Sequence, residues 1–397
     1  MAGQGRELRD VNLFAGAGGL ALGLRLAGFG PALLYEIDET AIQTLKWHRL
    51  LSPVPPEWEN HRGDVTQVDW SDFPFRVRLL AAGVPCQPFS LGGKHLAQGD
   101  DRNHFPDLVR AVRELQPDAV VVENVQGLLR SAFSEYLAYI LSALGSPAIA
   151  PKRGELWQDH HRLLKAYEAS RSFVPQYNVK SALLNAADYG VPQVRRRVFI
   201  VGVRAGLPEY SFPEPTHSRA ALVRAQLSGD YRARRSLRCP PWLRLLLPRE
   251  PEDDGLQPWV TVRDRLGLLP PPAMSEADAG VNGGLPNHWK IPGARSYDGH
   301  MGSVWDWPAK TIKAGVHGVP GGENILRVGP KTVRYFTLRE TAVLQSFPVN
   351  YHFEGARLRV TRQVGNAVPP LLASAVARQL MHVLGGDSQQ SKTGVGG

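Results

Sequence analysis

Short apolar runs alternate with amphipathic stretches through the first half of the chain. VNLF (11–14) reads as a strand that runs into a glycine loop, and LALGLRLAG (20–28) as a helix closed by Gly28. ALLYEID is a second strand ending in acids, and AIQTLKWHRLL is the helix after it. RLLAAGV (78–84) and DAVVVENV (118–125) are buried strands with the helix FPDLVRAVREL (105–115) between them, and RRVFIVGVR (196–204) is a further strand. This alternation predicts an α/β layer with a mostly parallel sheet.

The pattern breaks after Gly206. Residues 206–334 are rich in Pro, Gly, Arg and Trp and show little periodicity. Between 219 and 249 stand Arg219, Arg224, Arg232, Arg234, Arg235, Arg238, Arg244 and Arg249 against one acid, Asp230. Such a segment is either an exposed linker or a surface for a polyanion. Order returns at RYFTLRETAVLQSFP (334–348). A last helix, about 368–384, aligns Leu372, Val376, Leu380 and Val383 on one face, with Pro369 and Pro370 suited to its first turn. Residues 151–172 read as a polar, partly helical insertion, and 386–397 as a disordered tail.

Composition changes the picture in two respects. The chain has 397 residues with 43% hydrophobic and 21% charged, enough for a large core and two or three domains. Its net charge of +9 favours nucleic acid, although solubility alone also explains a basic surface. The two cysteines, Cys86 and Cys239, build neither a disulfide framework nor a Cys-rich zinc site, so no metal and a reducing cytoplasm are expected. The N-terminus lacks a signal-peptide pattern and no apolar run is long enough to span a bilayer.

The loop FAGAGGLALG (14–23) lies between a strand and a helix, where glycines admit a ligand to the backbone and to a helix N-terminus. Gly16, Gly18 and Gly19 with Ala21 satisfy the dinucleotide pattern, and Glu36 at the next strand end can accept from ribose hydroxyls. Nicotinamide dinucleotide, S-adenosylmethionine and a plain tight turn all remain open on these residues. Asp64 of RGDV can accept from an adenine amino group with Val65 packing on the ring, though a Gly-Asp pair is commonly only a turn.

Cys86 sits in GVPCQPFS at the carboxyl end of a strand, between Pro85 and Pro88, ahead of a polar glycine-bearing loop able to close over a substrate. A buried inert cysteine is the ordinary alternative. In VVENVQGLL, Glu123 and Asn124 end an apolar strand, where burial of polar groups is costly. In QVRRR, Gln193, Arg195 and Arg197 alternate and share one face of an extended strand, for a ligand or for a salt-bridge ladder.

LFAGAGG, EID, GDV, GVPCQPFS, ENV, QVRRR, RETAVLQSFP and RQVGNAVPP occur in the order in which they stand in the cytosine-5 DNA methyltransferases, and the chain resembles that family over about 250 residues. The resemblance implies a Rossmann-like S-adenosylmethionine-dependent fold over 1–205 and 335–385. It also implies a smaller, irregular target-recognition domain over 206–334. It implies Cys86 as the nucleophile on carbon 6 of a flipped-out cytosine, Glu123 on ring N3 and the exocyclic amine, Arg197 on O2, and Arg195 as its helper. Cofactor contacts implied are Phe14, Gly16, Gly18, Gly19, Glu36, Asp64, Val65, Pro85, Asn366 and Val368. DNA contacts implied or inferred are Ser90, Gln98 and Arg102 of the loop, Gln193, and Thr311-Ile312 of WPAKTIKAG.

The expected reaction is sequence-specific methylation of duplex DNA by a cytoplasmic, DNA-associated monomer, part of a restriction-modification system whose endonuclease acts on the same site without a stable complex. Competing readings are an RNA methyltransferase, whose Cys-Phe-Thr signature is missing, a nicotinamide oxidoreductase, which leaves Cys86 and Glu123 unexplained, and a non-catalytic DNA-binding relative.

Overall fold

The computed structural model describes residues 10–30, 32–50, 61–71, 73, 76–85, 103–235, 251–279, 284–295, 302–314, 324–329 and 332–385. Cys86, Ser90, Gln98, Arg102, Arg238, Arg244, Arg249 and the tail from 386 lie outside the described residues. The chain divides into two compact units, residues 1–184 with 196–213 and 373–397, and residues 185–195 with 214–372.

The first unit holds β1 (Asp10–Leu13), α1 (Gly19–Leu26), β2 (Ala32–Glu36), α2 (Glu39–Leu50), β3 (His61–Arg62) and β4 (Leu79–Gly83). These are followed by α3 (Phe105–Leu115), β5 (Ala119–Val125), α4 (Ser134–Gly145), α5 (Trp157–Glu168), β6 (Tyr177–Asn185) and β7 (Arg196–Arg204). The seven strands form one sheet in the order β3-β2-β1-β4-β5-β7-β6. β1 pairs in parallel with β2 and β4, β2 with β3, and β4 with β5, whereas β7 runs antiparallel to β5. The expected mostly parallel α/β architecture is therefore present.

Consecutive residues of the central strands, Leu79–Ala82 and Ala119–Val122, are all 2% exposed or less, so both faces of the sheet are covered. One face packs on Leu108, Ala111 and Val112 of α3 and on Tyr136, Ile140 and Leu144 of α4. The stretch read as a polar insertion adds α5 to this layer. Its Leu164 is buried, and His160 exchanges a hydrogen bond with the Tyr139 hydroxyl at 3.1 Å and approaches Ile149 O at 2.9 Å. Arg162, Lys165 and Glu168 on its outer face explain why the sequence looked solvated.

The second unit is built from short elements. β8 (His217–Ser218) pairs in parallel with β9 (Gln257–Pro258), and β10 (Ile325–Arg327) antiparallel with β11 (Val333–Tyr335). The helices are α6 (Arg219–Ser228), α7 (Asp230–Ala233), α8 (Val262–Leu266), α9 (Leu338–Leu344) and α10 (Arg357–Asn366). Finally α11 (Pro370–Val383) starts in this unit and returns the chain to the first, with Leu372, Val376, Leu380 and Val383 buried as their spacing predicted. Capping boxes start α8 and α9, Thr261 with Asp264 and Thr337 with Glu340. The described part of the arginine segment, residues 219–235, is better neutralised than its lone Asp230 suggested. Arg224 bonds Asp253 at 2.6 Å and Asp254 at 3.2 Å, Arg235 pairs with Asp264, and Arg232 lies 3.9 Å from Asp306. Residues 185–195 and 335–372, read as catalytic-domain sequence, cluster with this second unit.

Asp10 is the unusual group of the core. It opens β1 at 0% exposure, accepts from Asn12 Nδ2 at 2.7 Å, and its Oδ1 has no hydrogen-bond partner among the described residues. Burial pushes its carboxyl up to about 7, against the weaker pulls of Asn12 and Arg25. A raised native pKa means stability present below about pH 4 is lost as the pH climbs through 7. Urea unfolding of the native protein should lose on the order of 3 kcal/mol from this group between pH 4 and 8. Asp10→Asn should flatten that slope; an unchanged slope would show that the carboxyl does not titrate in this window.

Candidate active site

The parallel strands bring their carboxyl ends to one edge of the first unit's sheet. Leu13 is in register with Tyr35 and Ala82, Glu36 with Arg62, and Gly83 with Glu123. Phe14, Glu36, Asp64, Pro85 and Glu123 therefore gather along that edge. Because β7 is antiparallel, its first residues lie there too.

The glycine loop is fixed by β2. Ala15 N–H donates to Tyr35 O at 3.0 Å and Gly16 N–H to Glu36 Oε2 at 2.7 Å. Glu36 Oε1 accepts from Ile37 N–H at 2.9 Å and Asp38 N–H at 2.8 Å. Phe14 (φ 55°), Gly16 (φ 55°) and Gly18 (φ 81°) hold left-handed conformations, and Gly18 caps α1, which begins at Gly19. Among the described residues, its chain neighbours aside, a side chain built on Gly16 would meet nothing within 4 Å, so the backbone there is uncovered by them. Asp64 is exposed and caps a short turn by accepting from Thr66 N–H at 2.9 Å; that hydrogen bond holds its carboxyl below the usual range. Val65 is buried in the core cluster.

Glu123 and Arg197 form the charged heart of the edge. Arg197 Nε lies 2.8 Å from Glu123 Oε1, with the side chains 12% and 9% exposed. Across the β5–β7 ladder Val125 faces Arg197 and Glu123 faces Phe199, so the pair sits on the diagonal of one sheet face. Next to it Asn124 donates to Val84 O at 3.3 Å and ties β5 to the backbone two residues before Cys86.

The alternation of QVRRR does not deliver one shared ligand face. β7 begins only at Arg196, and Gln193 and Arg195 belong to the second unit. Arg195, expected as helper to Arg197, spends Nη1 and Nη2 on the carbonyls of Ile312, Gly365 and Ala367. Gln193 and Ile312, expected at DNA, are sealed at 0% and 1% exposure. The Thr311 hydroxyl donates to Val194 O at 2.9 Å. The contacts of these four are framework contacts within the second unit, three of them buried. Asn366 ends α10 and Val368 follows it, both in the second unit.

Two side chains at the edge escaped the sequence reading. Ile37 directly follows Glu36 and is 62% exposed, an apolar surface beside the carboxylate. His104 packs its ring 5.3 Å from Phe14 and approaches Asp107 through Nδ1 at 3.0 Å. The signal for Ile37 was an apolar residue between two strand-end acids; nothing local marked His104.

The open glycine backbone, the acceptor-rich Glu36 and the exposed Ile37 and Asp64 fit an adenosine-bearing methyl donor. Glu36 Oε2 accepts once and keeps a second lone pair for a ribose hydroxyl, whereas Oε1 already accepts twice. A sheet of this order, with a carboxylate–guanidinium pair at its carboxyl edge, is the scaffold of an α/β enzyme. The sequence matches the family described as C-5 cytosine-specific DNA methylase over residues 8–147, 152–233 and 287–382. It is 31% identical to Type II methyltransferase M.Eco47II of Escherichia coli, covering 94% of this chain and 79% of that one. It is 30% identical to Type II methyltransferase M.NgoMIV of Neisseria gonorrhoeae, covering 95% and 98%. The structure of the S. pombe Dnmt2 methyltransferase superposes with a TM-score of 0.55 at 17% identity, over 94% of this chain and 98% of that one, and shares the fold. The chain belongs to the C-5 cytosine-specific DNA methylase family, and its activity is methylation of cytosine carbon 5 in DNA. The nicotinamide reading of the glycine loop falls with that membership. Among the described residues no helix is long and apolar enough to cross a membrane.

Removal of either member of the charged pair should be costly. Arg197→Leu leaves Glu123 nearly buried without its cation, and urea unfolding should show a loss of about 3 kcal/mol. Gly365→Ala should also destabilise, by about 2 kcal/mol from overpacking. A Cβ at Gly365 would lie 2.3 Å from Ala314 N, so one of the two backbones must move.

Proposed function

We propose that this methylase takes its methyl group from S-adenosylmethionine bound at the glycine loop, and that Cys86, Glu123 and Arg197 act on a cytosine swung out of duplex DNA. The observation that carries the reading is the Glu123–Arg197 pair, 2.8 Å apart at the strand edge that also bears the loop. Phe14, the glycines 16, 18 and 19, Glu36, Ile37, Asp64 and Pro85 of the first unit would hold the cofactor. Bound S-adenosylmethionine supplies an electrophilic methyl group on a sulfonium.

The chain's own residues do the rest. Carbon 5 of cytosine is a weak nucleophile inside an aromatic ring. Addition of the Cys86 thiolate to carbon 6 breaks aromaticity and makes carbon 5 electron-rich. Glu123 shares a proton with ring N3 as negative charge develops there, and Arg197 orients that carboxylate and reaches O2. After carbon 5 takes the methyl group, its proton leaves and the Cys86 Sγ–C6 bond breaks. None of these atoms is accessible inside a duplex, so the base must flip. Ser90, Gln98 and Arg102 of the loop after Cys86 are suited to filling the gap. The recognition part is residues 206–334. The likeness to Type II methyltransferases supports a place in a restriction-modification system, as a monomer working on cellular DNA beside a separate endonuclease.

Bisulfite sequencing of plasmid from expressing cells tests the reading: protected cytosines should fall in one short context, and none at all, with folded protein, would sink it. Cys86→Ser should abolish transfer yet keep S-adenosylhomocysteine affinity. Glu36→Ala should weaken that affinity by about 1–3 kcal/mol in calorimetric titration, through lost hydrogen bonds.

A further inference from the structure

His104 stands at the carboxyl edge of the first unit's sheet and has no part in the chemistry above. Its place is set by α3, which begins directly after it. Asn103 donates to the Tyr136 hydroxyl, and Phe105 and Leu108 are sunk in the core. Further along α3, Arg110 donates to Val65 O at 2.6 Å and to Val68 O at 2.7 Å. The helix is thereby tied to the turn that bears Asp64. The His104 ring in turn lies 5.3 Å from that of Phe14, tilted by 38°. The Asp64 carboxyl, lowered chiefly by the Thr66 hydrogen bond, also feels His104. The imidazole thus neighbours both the first residue of the glycine loop and the Asp64 carboxylate.

Its two nitrogens are not equivalent. Nδ1 lies 3.0 Å from Asp107 Oδ2, and a carboxylate only accepts. That assigns the proton to Nδ1 and leaves a lone pair on Nε2. Among the described residues no hydrogen bond reaches Nε2, and the side chain is 23% exposed. Asp64 is exposed as well and keeps acceptor sites beyond the one given to Thr66 N–H. Two neighbouring acceptors suit a group with two N–H donors on one atom, and the 6-amino group of adenine is such a group. A carbonyl in its place would turn lone pairs on both.

We infer that His104 is a specificity-determining residue for the methyl donor: Nε2 accepts one N–H of the adenine 6-amino group while Asp64 accepts the other, so that the pair selects adenine over a 6-oxopurine. The inference rests on the proposed reading of this edge as the S-adenosylmethionine site.

Calorimetric titration with S-adenosylhomocysteine and with S-inosylhomocysteine, its 6-oxo counterpart, tests it. The native protein should prefer the adenine compound by at least about tenfold, because the oxo compound leaves both acceptors unpaired. His104→Phe keeps a ring against Phe14 and loses the acceptor, and the preference should shrink about fivefold, the worth of one hydrogen bond. His104→Gln can place an amide oxygen where Nε2 stands and should keep the native preference. The preference is a ratio taken on one preparation, so a variant that folds less completely still gives an answer. An unchanged preference in His104→Phe overturns the inference, as does an equal loss of affinity for both compounds. Loss of the preference in His104→Gln with retention in His104→Phe overturns it too, and leaves packing on Phe14 as the whole role of the ring. If the native protein binds neither compound, the reading of the site is overturned and the inference with it; equal binding of both overturns the inference alone.

Discussion

The antiparallel placement of β7 beside β5 is the constraint on which the proposed chemistry depends. β1, β2, β3, β4 and β5 run in parallel, and their carboxyl ends carry the glycine loop, Glu36, Asp64, Pro85 and Glu123 to one edge. A parallel β7 would deliver its carboxyl end to that edge instead, and Arg197 would stand roughly 20 Å away at about 3.3 Å per residue. Reversal of this one strand lets a residue 74 positions downstream of Glu123 meet it at 2.8 Å. The nearly buried pair then needs both partners, because either charge alone would be left out of water unpaired.

Charge is arranged differently in the two units. The net charge of +9 points to nucleic acid, but among the described arginines of the 219–249 segment Arg219, Arg224, Arg232 and Arg235 are engaged inside the fold. Asp253, Asp254, Asp264 and Asp306 come from later in the chain to meet Arg224, Arg235 and Arg232. Arg219 lies over the Trp307 ring at 5.7 Å. A local count of cations and acids misjudges such a segment because ion pairs form through space.

Arg195 makes the same point in the opposite sense. Its neighbour two positions on, Arg197, sits at the strand edge with the carboxylate, while Arg195 is sunk among carbonyls of another segment. Alternation fixes the facing of side chains only while the strand lasts, and β7 starts at Arg196. Buried charges filled by backbone acceptors are a costly way to gain stability and a good way to hold one arrangement of segments against others. The network around Ile312 and Gly365 therefore ties segments together rather than doing chemistry.

Much of the first unit was legible because its signals are local. Apolar runs of strand length, helical periodicity and glycine stops gave β7 and α3 with the bounds read from the chain, and the spacing of Leu372, Val376, Leu380 and Val383 gave the buried face of α11. The glycine loop, Glu36 and the edge position of Glu123 were legible for the same reason, since a parallel sheet sends strand ends to one side. The packing of α5, the exposure of Ile37, the ring contact of His104 and the framework roles of Gln193, Arg195 and Ile312 were not. Each depends on atoms from another element of the chain, or on which surface the fold leaves uncovered. By itself the sequence determined the strands, the loop and the residue types able to do the chemistry. The tertiary structure alone decided which arginine meets the carboxylate and which is locked away, because burial and through-space hydrogen bonding are set only once the segments have packed.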